Sequence, residues 1–232
     1  MNGKGAQSLF ARRLFLARLG AGVTVAGAAA AVTPGAGAQS AGDARWQPVR
    51  HEQDDWLDKI PGKHRLVFDT TTPDGLNTAL LFANNYFLAN QSGYGLKDSD
   101  LAVVIVVRHS STSFGYNDSI WAKYGVELSK RSNFVDPKTK EPPKINVYAT
   151  PGDGSASAGR LDSLLKKGVH LAVCQMATRA NAGLIAQATG GNADSIFSEL
   201  AANLVSNSHL APAGIVAVNR AQERGYSFVH AG

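Results

Sequence analysis

The sequence predicts an α/β fold: an open, mostly parallel five-stranded sheet with helices on both faces. Three observations carry that reading. Residues 101–108, LAVVIVVR, are almost wholly apolar and β-branched, without the alternation of a half-exposed strand, as expected of a central parallel strand covered on both faces. In GLNTALLFANNYFLANQ, Leu76, Leu80, Ala83 and Phe87 fall at steps of four, three and four, an apolar stripe suited to packing on a sheet. Strand-like and helix-like stretches then alternate along the chain, which argues parallel β-α-β units joined by right-handed crossovers.

The first strand is expected in HRLVFD, stopped by TTTPDG, with Pro73 and Asp74 placed to start the helix that carries the apolar stripe. After the 101–108 strand, HSSTSFGYND reads as a polar turn and SIWAKYG as a short helix. Residues 126–144, with Pro137, Pro142 and Pro143 among many charges, read as a solvated excursion. INVYAT reads as a further short strand, LDSLLKKG as a helix and VHLAVC as a strand. Helices are expected at about 178–189 and 193–206, and the chain closes with strand, turn, helix and a last strand at YSFVH.

The N-terminus has to be set aside before fold reasoning. Arg12 and Arg13, followed by Phe15 and Leu16, a mildly apolar run from Gly20 to Val32 and the small-residue site Ala36-Gly37-Ala38, have the three-part order of a twin-arginine export signal. Cleavage is expected after Ala38, which puts the mature protein in the periplasm or another extracytoplasmic space. The rival reading, a membrane anchor, meets a run that is short, rich in Gly and Ala and broken by Pro34, against roughly 20 strongly apolar residues for a span. No stable membrane insertion is expected. Residues 39–62 then read as a linker or an N-terminal arm, and residues 63–232 as one α/β domain.

Removing residues 1–38 also changes the charge. Lys4, Arg12, Arg13 and Arg18 leave the 23 bases, no acid leaves the 18, and the net charge falls from +5 to near +1. The basic balance belongs to the signal, and no basic stripe interleaved with aromatics occurs elsewhere, so a nucleic-acid partner is not expected.

Cys174 is the only cysteine, so no intrachain disulfide framework exists. It follows HLAV and precedes a polar turn opening a helix, which places it at the carboxyl end of a strand, where ligands collect in such sheets. Two readings stay open. The following helix N-terminus and nearby Arg179 would favour a thiolate, whereas a buried cysteine acts as a small hydrophobe. Arg108 and His109 emerge at a second strand end and meet Cys174 if the two strands are neighbours. His109 could stabilise the thiolate or move a proton, or it could simply cap its strand. Asn117 is a further candidate ligand contact, although the helix side it shares with Trp121 and Tyr124 equally suits packing. His170 precedes Cys174 by four residues, but without a second cysteine or paired spacing no metal site is expected, and no cofactor. PGDGSASAG lacks the Lys-Ser/Thr ending of a phosphate loop and the dinucleotide fingerprint, leaving only generic anion binding at the next helix start with Arg160. No Gly-x-Ser-x-Gly elbow supports a hydrolase.

KKGVHLAVCQMATRA followed by LAPAGIVAVNRAQERGYSFVHA resembles the DsrE-like family of sulfur-relay proteins. The resemblance rests on Gly168, Val169, Leu171, Val173 and Cys174, then Gly214, Ile215, Gln222, Gly225 and Tyr226, with His109 where many exported members carry a histidine. It covers roughly residues 64–125 and 160–232. It implies a DsrE-like, three-layer α/β domain that assembles as a homo-oligomer. The matching cysteine would take up sulfane sulfur as a persulfide and exchange it with a donor or acceptor protein. The alternative is a non-catalytic oligomeric module that binds a small ligand and keeps Cys174 as a structural residue.

Overall fold

The computed structural model describes residues 47–149 and 160–232. The expected export signal, the first part of the expected arm and residues 150–159 lie outside the described residues. Elements follow in the order α1 (Trp56–Lys59), β1 (His64–Thr70), α2 (Pro73–Tyr94), β2 (Leu101–Val107), α3 (Asp118–Ser132), α4 (Leu161–Lys166), β3 (His170–Cys174), α5 (Gln175–Thr189), α6 (Ala193–Ala202), β4 (Ser208–Ala211), α7 (Gly214–Gln222) and β5 (Ser227–His230).

The sheet is five-stranded, in the order β4-β3-β2-β1-β5, and every pairing is parallel. β2 is central and all seven of its residues are buried, the reason its sequence shows no alternation. The layering follows from the strand order. A right-handed crossover puts its helix on one face when the chain steps one way along a sheet, and on the other when it steps back. From β1 to β4 the steps run one way, and the helices of α2 to α6 share a core with Phe68, Val103, Ile105, Leu171 and Val173. The return from β4 to β5 places α7 on the opposite face, where Ala217, Val218 and Ala221 meet Val67, Val104, Val106 and Ala172. One helix cannot cover that face. Leu57 and Ile60 from the arm complete it, both buried.

Helix α2 forms where its apolar stripe puts it. Leu76, Leu80, Ala83 and Phe87 are buried against the sheet, Thr72 caps the helix by accepting from the Gly75 N–H at 2.9 Å, Pro73 follows the cap, and Gly95 ends the helix in the left-handed conformation.

Three local expectations change. HSSTSFG is not a simple polar turn but a 3-10 segment, His109–Gly115, buried from Ser111 onward, where the Ser111 and Thr112 hydroxyls find partners inside. Ser111 Oγ accepts from the Arg108 N–H at 3.0 Å and lies 3.0 Å from the Thr70 carbonyl. The segment 126–144 is no excursion in its first part. Helix α3 continues through a kink at Tyr124 to Ser132 and buries Leu128, Ser129 and Ser132, while the exposed stretch comes after it. Residues 145–149 of INVYAT form no strand but a turn. Asn146 instead is fully buried, donates to the carbonyls of Phe114 and Tyr116 at 2.8 Å each, and pins the turn beneath the 3-10 segment. Tyr148 packs edge-on against Phe114, with ring centroids 4.7 Å apart.

Candidate functional site

Cys174 ends β3 and serves as the N-cap of α5. Its last sheet partner is Ala211, at the end of β4. From these adjacent strand ends the chain departs to opposite faces, into α5 on one side and α7 on the other. Such a parting of loops is the topological switch point of an open α/β sheet, the place where ligands bind. The Cys174 residue is 6% exposed, and its Sγ accepts from the Ala177 N–H at 3.4 Å. An unpaired backbone donor of a 15-residue helix is thus aimed at sulfur, where negative charge is favoured.

A directional chain of hydrogen bonds supports the same residue from behind. Asn181 Nδ2 donates to the Tyr116 hydroxyl (3.0 Å), which donates to Thr178 Oγ1 (3.1 Å), which donates to the Cys174 carbonyl (3.0 Å). Tyr116 is completely buried. That burial pushes its pKa up to about 12 against the opposing hydrogen bonds shared with Thr178 and Asn181, so the phenol stays neutral and acts as a strut rather than a base.

Arg108 follows the Val107–Val173 pair and therefore stands at the strand end beside Cys174. Its guanidinium grips Asp69 through two bonds, Nε to Oδ1 at 2.6 Å and an Nη to Oδ2 at 2.8 Å. The hydrogen bond to Asp69 raises the Arg108 pKa above its ordinary value. The negative charge of an ionised Cys174 acts in the same direction, which puts the guanidinium within electrostatic reach of the sulfur. Asp69 is itself buried and also accepts from His230 Nδ1 at 3.1 Å. Gly214 at the start of α7 lets the arrangement close, because a Cβ there would stand 2.5 Å from the Cβ of Arg108.

The remaining sequence candidates are not gathered at the sulfur. His109 is exposed with a left-handed φ of 57°, and its Nδ1 faces Ser110 Oγ at 3.0 Å. Arg179 turns to α6, where its guanidinium lies 3.9 Å from the centre of the Phe197 ring and 3.6 Å from Asp194. Asn117 caps α3 by accepting from the N–H groups of Ser119 and Ile120, and lines a separate cleft of about 440 Å³ with Asp118, Asp162 and Lys166. Arg160 pairs with Asp162 at 3.0 Å. Asp69, Tyr116, Thr178, Asn181 and His230 were not singled out from the sequence. Only Asp69 and His230 carried a signal, each a titratable residue ending an apolar strand.

Among the described residues, no three His, Cys, Asp or Glu side chains group to hold a metal ion, and no helix is long and apolar enough to cross a membrane. Comparison with protein-family models, with curated proteins and with solved structures finds no match in any of the three. The fold and the site geometry are therefore what the functional reading stands on: an α/β protein with a parallel sheet and a helix-capping cysteine at its switch point.

Proposed function

We propose that the protein is an exported, DsrE-like carrier of sulfane sulfur that holds the sulfur as a persulfide on Cys174. The observation that carries this reading is the position of the sulfur at the switch point, with the Ala177 N–H on it and the Arg108 guanidinium on the adjoining strand end. Both turn a donor or a positive charge towards the sulfur, the group whose attack the proposed chemistry needs.

The chemistry needs one cysteine. The Cys174 thiolate attacks the outer sulfur of a donor such as thiosulfate; a new S–S bond forms, the donor's S–S bond breaks, and sulfite leaves with the electron pair. An acceptor thiolate then attacks the terminal sulfur of the persulfide, and Cys174 departs as a thiolate. The two steps move one sulfur atom with no net oxidant or reductant. Met176 and Ile215, exposed in the first turns of α5 and α7, give apolar surface for a donor or acceptor protein beside the site. Homo-oligomeric assembly and the twin-arginine route to the periplasm belong to the same reading.

The near-complete burial of Cys174 favours a second reading, an oligomeric small-ligand-binding or scaffolding module in which the cysteine is structural. Intact-mass measurement after exposure to thiosulfate or polysulfide separates the two. The carrier gains sulfur on the wild type and none on Cys174→Ser; a wild type that stays unmodified establishes the structural reading.

A further inference from the structure

Far from the cysteine along β3, on the α7 face, three aromatic rings from three stretches of chain stack. The Trp56 ring of α1 lies 4.0 Å from that of His209 with 9° between the planes, and the His209 ring lies 5.2 Å from that of His170 at 17°. His170 Nδ1 and His209 Nε2 are 2.9 Å apart. Since His209 pairs with Ala172, both histidines belong to the sheet face that Leu57, Ile60 and α7 close.

A hydrogen bond between two imidazoles needs one donor and one acceptor nitrogen, so a doubly protonated pair loses it and sets two cations against each other. The indole face attracts a cation, but that acts on one ring and does not remove the repulsion between the two. The other charged groups of the neighbourhood face elsewhere. Asp54 pairs with Arg220 (3.6 Å), Asp58 with Arg224 (3.1 Å) and Arg50 (3.4 Å), and Glu223 with Arg220 (2.7 Å). Among the described residues, neither Asp55 nor Lys59 of the arm makes an ion pair with either ring. Apart from these ion pairs, the arm is held by the Tyr226 hydroxyl and Arg65, which donate to the Leu57 carbonyl at 2.7 and 2.9 Å.

We propose that the Trp56–His209–His170 stack is a pH-operated latch: a neutral histidine pair clamps residues 52–60 on the sheet, and protonation of the pair releases them and uncovers the α7-side core. Burial lowers the pKa of His170 and, with the charge of His170 added, brings that of His209 down to about 4. The docked state therefore refuses protons that the released state takes up at the ordinary value near 6.5. Clamping is at full strength above about pH 6.5, weakens as pH falls towards 4, and weakens no further below it. The fall of His209 from 6.5 to about 4 allows by itself a rise of roughly 300-fold in the released population once titration is complete, and roughly 100-fold by pH 4.5. This latch stands apart from the sulfur chemistry and survives the failure of that reading.

Hydrogen exchange of the full chain, read by mass spectrometry and corrected for intrinsic rates, tests it at pH 7 and pH 4.5. In the wild type the protection of residues 52–60 falls by 10-fold or more, up to roughly 100-fold, while β2 stays protected. His209→Phe keeps a ring on Trp56 without the His209 charge and loses clearly less protection at pH 4.5 than the wild type, the remainder belonging to His170. His209→Gln, which can still hydrogen-bond His170, gives the same answer if Phe crowds the site. Equal wild-type protection at both pH values overturns the latch. So does an equal loss in the wild type and both variants.

Discussion

Arg108 and Asp69 form a two-pronged ion pair across the carboxyl ends of β2 and β1, at 2.6 and 2.8 Å, with the carboxylate side chain only 4% exposed. A buried pair of this kind contributes little net stability compared with a well-packed apolar pair, but breaking it leaves one charge without its partner. Because the Arg108 side chain is 28% exposed and Asp69 keeps His230, Arg108→Ala is expected to destabilise the fold by about 2–3 kcal/mol, below the figure for a fully buried pair, and the double variant Asp69→Leu with Arg108→Met by distinctly less. Urea unfolding of the two proteins checks the order; equal losses would show that the pair is not the determinant.

The same arginine is expected to tune the thiol. Arg108→Gln removes the cation on the strand end beside Cys174 and should slow its alkylation by iodoacetamide at pH 7 several-fold, whereas His109→Ala, at an exposed ring bonded to Ser110, should leave the rate within about twofold. The reverse pattern would return His109 to the site and remove Arg108.

Asn146 links the residue 145–149 turn to the buried 3-10 segment through two carbonyls. Asn146→Ala is expected to cost about 1–3 kcal/mol, and Asn146→Asp more, since a carboxylate would face the Phe114 and Tyr116 oxygens. Thermal unfolding reads both; a tolerated Asp would contradict the geometry.

Alkali should unfold the protein through its tyrosines. The pKa of Tyr116 is raised by burial to about 12, while an unfolded tyrosine ionises near 10. Its contribution is complete below pH 10 and is lost as pH rises through 12, by at most about 2–3 kcal/mol. Urea midpoints at pH 8, 10 and 11 should fall only above pH 10, and Tyr116→Phe should flatten the decline.

If the N-terminus is a twin-arginine signal, export depends on Arg12 and Arg13. Replacing both with lysine should leave unprocessed precursor in the cytoplasm, detected by immunoblot of fractionated cells. Normal processing would refute the twin-arginine reading.

What the sequence determined by itself is what periodicity and chain order can express. The unbroken apolar run at β2 placed the central strand, the stripe Leu76–Leu80–Ala83–Phe87 placed the main helix, and strand–helix alternation gave a parallel sheet with two covered faces. It also put Cys174 at a strand end with a helix to follow. Only the tertiary structure decided which groups surround that sulfur. The strand order brings Arg108 to it, and helix packing turns Arg179 to Phe197 and leaves His109 outward. Composition misled at HSSTSFG and INVYAT because hydroxyls and an asparagine read as solvent-seeking until their internal partners are known. Polarity along a chain does not reveal whether a hydrogen bond will be made to water or to a backbone carbonyl brought from far away in sequence, and that choice is made only when the layers close.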